Sequence, residues 1–213
     1  MKEEIALLVL GWLFGLLSPA IINAIKDRRE IAKLKEALMT ELDELKYRLM
    51  LMVYHIESKH GAINHDFFKW AQNILNEYNG INSSETLLGT IGPLLKLTNE
   101  EMETYSQYAQ QKNVPNSGIA LKKYSMALLE SNLTSLSKFD AVLRGHLLEI
   151  KTHIGFINEI VDDTRFYFQL SFQNGISPTN YEIANTNMID SYKNYSSQAR
   201  VVIELIRKIM IKK

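Results

Sequence analysis

The chain contains no cysteine, which removes disulfides, thiolate metal sites and cysteine nucleophiles together. Proline occurs four times and glycine ten times in 213 residues, mostly where helical patterns begin or end, so long helices are expected. No charge of one sign prevails, because 24 basic side chains face 24 acidic ones. A neutral chain has no global field to draw in nucleic acid or an acidic substrate; nucleic acid is not an expected partner, and charge has to be argued locally. Phosphate-cradling loops and serine elbows are missing too. Gly89-Thr90-Ile91-Gly92 lacks the preceding strand and the lysine such a cradle needs.

What the chain does have is a long run without charge. Ile5 to Ile25 carries no charged side chain and is fenced by Glu4 and by Lys26, Asp27, Arg28 and Arg29. As a helix it spans ~31 Å, the hydrocarbon thickness of a bilayer, so residues 1–25 are expected to form a single transmembrane anchor. Ser18-Pro19-Ala20 offers small residues at the spacing of a signal-peptidase site. The n-region Met1-Lys2-Glu3-Glu4 has no basic excess, however, and the apolar run continues past the cut through Ile21, Ile22 and Ile25, so retention is expected. Basic residues crowd the C-terminal flank, which predicts an inner (plasma) membrane protein, single-pass, with its N-terminus outside and its C-terminal domain cytoplasmic.

Within the run, Gly11, Gly15, Pro19 and Asn23 recur every fourth residue with Ser18 beside them, and Gly11-Trp12-Leu13-Phe14-Gly15 is a GxxxG unit. Small residues let two helix backbones approach closely in lipid, so Gly11, Gly15, Ser18 and Asn23 are the expected oligomerisation residues of a homo-oligomer. Pro19 removes a backbone donor and should kink the span.

Residues 26–213 read as an all-α, elongated antiparallel bundle with coiled-coil-like seams. Ile31, Leu38, Leu42, Leu45, Leu49, Met52 and Ile56 alternate spacings of three and four, with Lys35 the polar member, in a juxtamembrane helix over 26–58. Short helices follow over 66–111: Asn79-Gly80 supplies a left-handed stop, Gly89, Gly92 and Pro93 interrupt the middle, and Thr98-Asn99-Glu100-Glu101 forms a capping box. A long helix is predicted over 119–172, since apolar residues from Met126 to Phe168 hold one seam with only Asp140 and Thr164 as exceptions; a break near Gly145 would shorten it. Asn174-Gly175-Ile176-Ser177-Pro178 then turns the chain into a last helix over 178–212, antiparallel to its predecessor. Phe166, Tyr167, Phe168, Phe172 and Tyr181 around that turn read as packing residues.

Chemistry is harder to find. Glu57-Ser58-Lys59-His60 is a Glu-x-x-His unit of the kind di-iron bundles use twice, but no second copy exists. His146 and His153 stand roughly 10.5 Å apart along a helix, too far to share an ion, and Glu149 with His153 makes a surface pair. No metal or cofactor is expected. Arg48 and His55, with six residues between them, resemble the Arg-x(4 to 6)-His motif of HEPN-type helical ribonucleases. That resemblance implies a pair acting on a phosphodiester at a dimer interface, although Leu49 stands where the family usually has a polar residue. At the C-terminus Arg207, Lys208, Lys212 and Lys213 are interleaved with isoleucines, and together with Arg28 and Arg29 they are the expected contacts to the anionic leaflet.

The expectation is thus a non-enzymatic membrane-anchored oligomer serving as scaffold, signalling partner or pore. The bilayer, its own copies and a protein bound through the bundle are its partners, and a membrane-tethered HEPN-like ribonuclease is the alternative. The layout is similar to that of small membrane-anchored helical effectors of bacterial antiviral systems, which implies a role in antiviral defence.

Overall fold

The structure, a computed structural model, describes residues 2–61, 63–80, 84–111 and 118–211, and among the first twenty residues the side chains of Trp12, Gly15 and Pro19. Among the described residues it is all-helical. The first helix, α1 (Lys2–His60), is 59 residues long and passes through Pro19 without interruption. Residues 21–30 are exposed throughout. From Ile31 onward the seam turns inward: Leu38, Leu42 and Leu49 are fully buried and Leu45 and Ile56 nearly so. Lys35 stays in the open, its charge felt by Asp140.

Along that stripe packs α7 (Pro178–Ile211), and α6 (Ala141–Ser171) packs in turn on α7; the two are joined by a turn in which Gly175 adopts φ 82°, a left-handed conformation that glycine takes without a Cβ clash. The two pair along their lengths as the expected antiparallel hairpin, His153 meeting Gln198 midway. Against α1, α7 also runs antiparallel: Glu57 meets Ser196 and Arg200 at one end, and Lys46 meets Met210 at the other. Each helix has an apolar stripe that it could not bury alone, and the three stripes form one core.

The remaining elements cover this core. α2 (His65–Asn76) folds back on α1 and buries Phe67, Phe68, Ala71, Ile74 and Leu75, its first turn capped by Asn64 Oδ1 accepting from Phe67 N at 2.8 Å. Gly80 does not take the left-handed conformation expected of it; instead the Tyr78 ring lies where a Cβ at position 80 would stand. α3 (Glu85–Leu94) continues through Gly89, Gly92 and Pro93, which therefore do not interrupt it. α4 (Asn99–Gln111) opens on the expected capping box: Thr98 N donates to Glu101 Oε2 at 2.8 Å and Glu101 N to Thr98 Oγ1 at 3.3 Å.

The long helix expected over 119–172 is the main correction. Residues 118–126 are non-helical, followed by a single turn, α5 (Ala127–Ser131), and a 3-10 helix (Leu133–Lys138). α6 begins only after Asp140, whose carboxylate accepts from Leu143 N at 2.8 Å. The apolar seam held only in part, for Met126, Leu129 and Leu136 are buried while Leu133 is 44% exposed, and tertiary partners set another backbone. Asn158 of α6 bonds both N and O of Tyr124, the Tyr192 hydroxyl accepts from Ile119 N, and Glu41 accepts from Leu128 and Leu129 N. The residue that broke the seam pattern, Asp140, is the N-cap, whereas Gly145 lies inside α6.

Among the described residues no helix is long and apolar enough to cross a membrane. Most side chains of the expected span Ile5–Ile25 lie outside the described residues, so the span finds no support in the structure.

Candidate functional site

The densest polar arrangement lies where α2 crosses α1 and α7. Tyr47 and Tyr78 stack with centroids 4.3 Å apart, and the Tyr78 hydroxyl donates to Glu44 at 2.6 Å. Beneath them Lys46, 1% exposed, places its ammonium 3.0 Å from Asp43 Oδ1 and 3.8 Å from Glu77 Oε2. Asp43 also accepts from Asn79 N at 2.9 Å, which ties the end of the α2 segment to α1. Glu77 holds Arg207 of α7 through two bonds of 2.7 and 3.0 Å, and Arg207 reaches Glu204 at 3.1 Å. The Glu77 bonds, with Glu204 adding to them, raise the Arg207 pKa, so it stays a cation. Glu204 in turn accepts from Trp70 Nε1 at 3.0 Å.

One turn earlier on α7, Arg200 lies 4.6 Å from the Trp70 centroid and 3.2 Å from Glu57, which also accepts from Ser196 at 2.7 Å. The seam thus runs in alternating sign along α7 and fixes which face of α2 meets it. Only the Lys46–Asp43 pair is buried, whereas Arg207, Glu77 and Glu204 are 21, 37 and 44% exposed, so removing one partner is costlier at Lys46 than along the outer part of the seam. An open cleft of about 910 Å³ borders the seam, with Lys46 and Glu77 in its wall.

The sequence-predicted residues fare differently. Arg48 is largely exposed and donates to Glu44 at 2.7 Å. His55 lies two helical turns, roughly 10.5 Å, further along α1. Its pKa is lowered by partial burial and then by Lys59. The two are not brought together within one chain. Glu57 and His60 diverge as well: Glu57 is taken by Ser196 and Arg200, whereas His60 stacks on Tyr192 at 5.1 Å with its Nε2 buried and unpartnered. Burial, then Lys59, His55 and Lys193, lower the His60 pKa, so the ring is neutral. His153 bonds Gln198 at 2.8 Å instead of Glu149, which lies 3.7 Å from His146. Among the described residues no three His, Asp or Glu side chains converge on a metal position.

Of the expected membrane-surface residues, Arg28, Arg29 and Lys208 are exposed, but Arg207 is engaged inside the seam. Lys212 and Lys213 lie outside the described residues. Of the expected oligomerisation residues, Gly15 has open space where a Cβ would stand and Asn23 is exposed, while the surroundings of Gly11 and Ser18 lie outside the described residues. The aromatic turn corrects another expectation, since Phe166, Phe168 and Phe172 are 60, 43 and 69% exposed. Sequence reasoning missed Lys46, the most buried charge among the described residues. Its signal was present: four residues after Leu42, it borders the core stripe.

No family model, curated protein or solved structure matches the chain.

Proposed function

We propose that the protein is a non-enzymatic, membrane-anchored helical oligomer whose cytoplasmic bundle acts as a scaffold, signalling partner or pore component, with its N-terminus outside. One observation supports this reading above others. The helix that supplies the central core stripe is the same uninterrupted helix that carries the apolar run. On its projecting part Trp12, Ile21, Ile22 and Ile25 are 65, 56, 63 and 47% exposed, with no protein cover. Apolar side chains so displayed favour lipid or a second copy over water.

The test is fractionation of cells followed by alkaline washing. Retention in the washed membrane pellet is expected; release to the supernatant would sink the anchor. Gly11→Leu with Gly15→Leu should stay in the pellet yet give smaller species in mild detergent, because bulk is added where close helix approach is proposed. Unchanged assembly of this variant and of a chain lacking residues 1–25 would remove the span from the oligomer.

A further inference from the structure

The apolar run ends at Ile25, and the first side chain of α1 that packs on the core is Ile31. Between them lie Lys26 to Glu30, all exposed and all helical. Five residues advance a helix ~7.5 Å. The polar layer on each side of a bilayer is roughly 5 to 7 Å thick, the difference between total and hydrocarbon thickness shared by two leaflets. On a continuous helix the bundle therefore starts where the headgroups end.

The surface at that end is built from separate parts of the chain. The 118–140 segment follows α1 toward it, as the Glu41 bonds to Leu128 and Leu129 show, and Asp140 and Leu143 border one small cavity with Lys35 and Met39. Lys33 and Lys35 are exposed on α1 a turn or two beyond Arg28 and Arg29, and Lys138, two residues before Asp140 at the end of the 3-10 helix, is exposed as well. The acidic groups at this end are Asp27, Glu36 and Asp140, and the Asp140 carboxylate is occupied by Leu143 N. Lys26 is matched by Glu30 at 4.0 Å.

We propose that this end of the bundle is a docking surface for anionic phospholipid headgroups, gripped by Lys33, Lys35 and Lys138. The proposal rests on the anchored reading above and adds that the bundle sits against the leaflet instead of swinging free on a stalk. Phosphates within a Debye length of these lysines attract them, and salt weakens that attraction.

Because the chain has no cysteine, one can be placed at will. Full-length Thr134→Cys, in the 3-10 helix, and Gln173→Cys, beyond the far end of α6, each carry a fluorophore, and vesicles of phosphatidylcholine, with or without phosphatidylserine, carry a headgroup acceptor. α6, which lies between the two labels in the chain, is ~46 Å long, so energy transfer should be strong at 134 and weak at 173. Phosphatidylserine should raise transfer at 134, and high salt should abolish the increment. Lys33→Glu, Lys35→Glu and Lys138→Glu combined should also abolish it, while the variant keeps its helicity and still floats with the vesicles. Equal transfer at both positions, or a 134 signal indifferent to phosphatidylserine and to the charge reversal, would overturn the docking surface with the anchor intact. A chain that floats with neither vesicle would overturn the anchor, and this proposal with it.

Discussion

The two halves of α1 share a backbone and almost nothing else. Residues 31–60 bury Leu38, Leu42, Leu49 and Ile56 at 2% exposure or less, whereas Trp12, Ile21 and Ile22 on the earlier half are more than half exposed. Helical conformation is therefore no guide to what a helix is for. An apolar stripe of period 3.5 meets protein, because a narrow stripe can be matched by two neighbouring helices. Trp12, Ile21 and Ile22 belong to no such stripe and lie outside the core cluster.

Substitutions that break this contrast should rank in a clear order. Leu42→Ala removes a fully buried side chain and should cost about 2 to 5 kcal/mol, whereas Trp12→Ala should leave bundle stability unchanged; urea unfolding in mild detergent compares them. Nearly as large is Lys46→Ala, which leaves Asp43 buried without its counter-charge and should cost about 3 kcal/mol. A smaller effect belongs to pH. The folded pKa values of His55 and His60 lie below the ordinary histidine value of about 6.5, so the folded state binds fewer protons than the unfolded one. Stability is fully present above about 6.5 and declines as pH falls from there through the lower folded values. His60→Gln should flatten part of that decline in a series of thermal melts. Smallest of all, Arg48→Ala and His55→Ala should leave cellular function intact, a ranking that would reverse if purified protein cut RNA and both variants lost the cutting without unfolding.

How far the sequence could be read follows the same division. The α1 stripe, the capping box at Thr98 and the turn at Gly175 were legible because each is local: a period, a four-residue motif, a glycine able to take positive φ. Conformation over 118–140 was not legible, because the apolar spacing from Met126 to Leu136 suits burial in either a helix or an irregular strap. Only Asn158, Tyr192 and Glu41, distant in sequence, decide between them. The charged seam was hidden for a similar reason. Glu77 and Arg207 are separated by 130 positions, and neither is unusual in its own neighbourhood. The aromatic turn misled in the opposite sense: Phe166, Phe168 and Phe172 look like core by composition, yet the hairpin leaves them outside.

The claim that one helix has two different covers is tested most directly by cysteine protection in inverted membrane vesicles, cytoplasmic face outward, from cells making full-length Trp12→Cys or Leu42→Cys. Treated with a membrane-impermeant maleimide, both cysteines should be unreactive in intact vesicles. Unfolding the bundle in urea without detergent should expose residue 42 alone, and mild detergent without urea should make residue 12 the more reactive of the two. A cysteine at position 12 that reacts at once in intact vesicles, while position 42 stays protected, would show that the first half of α1 stands in water and would contradict the account.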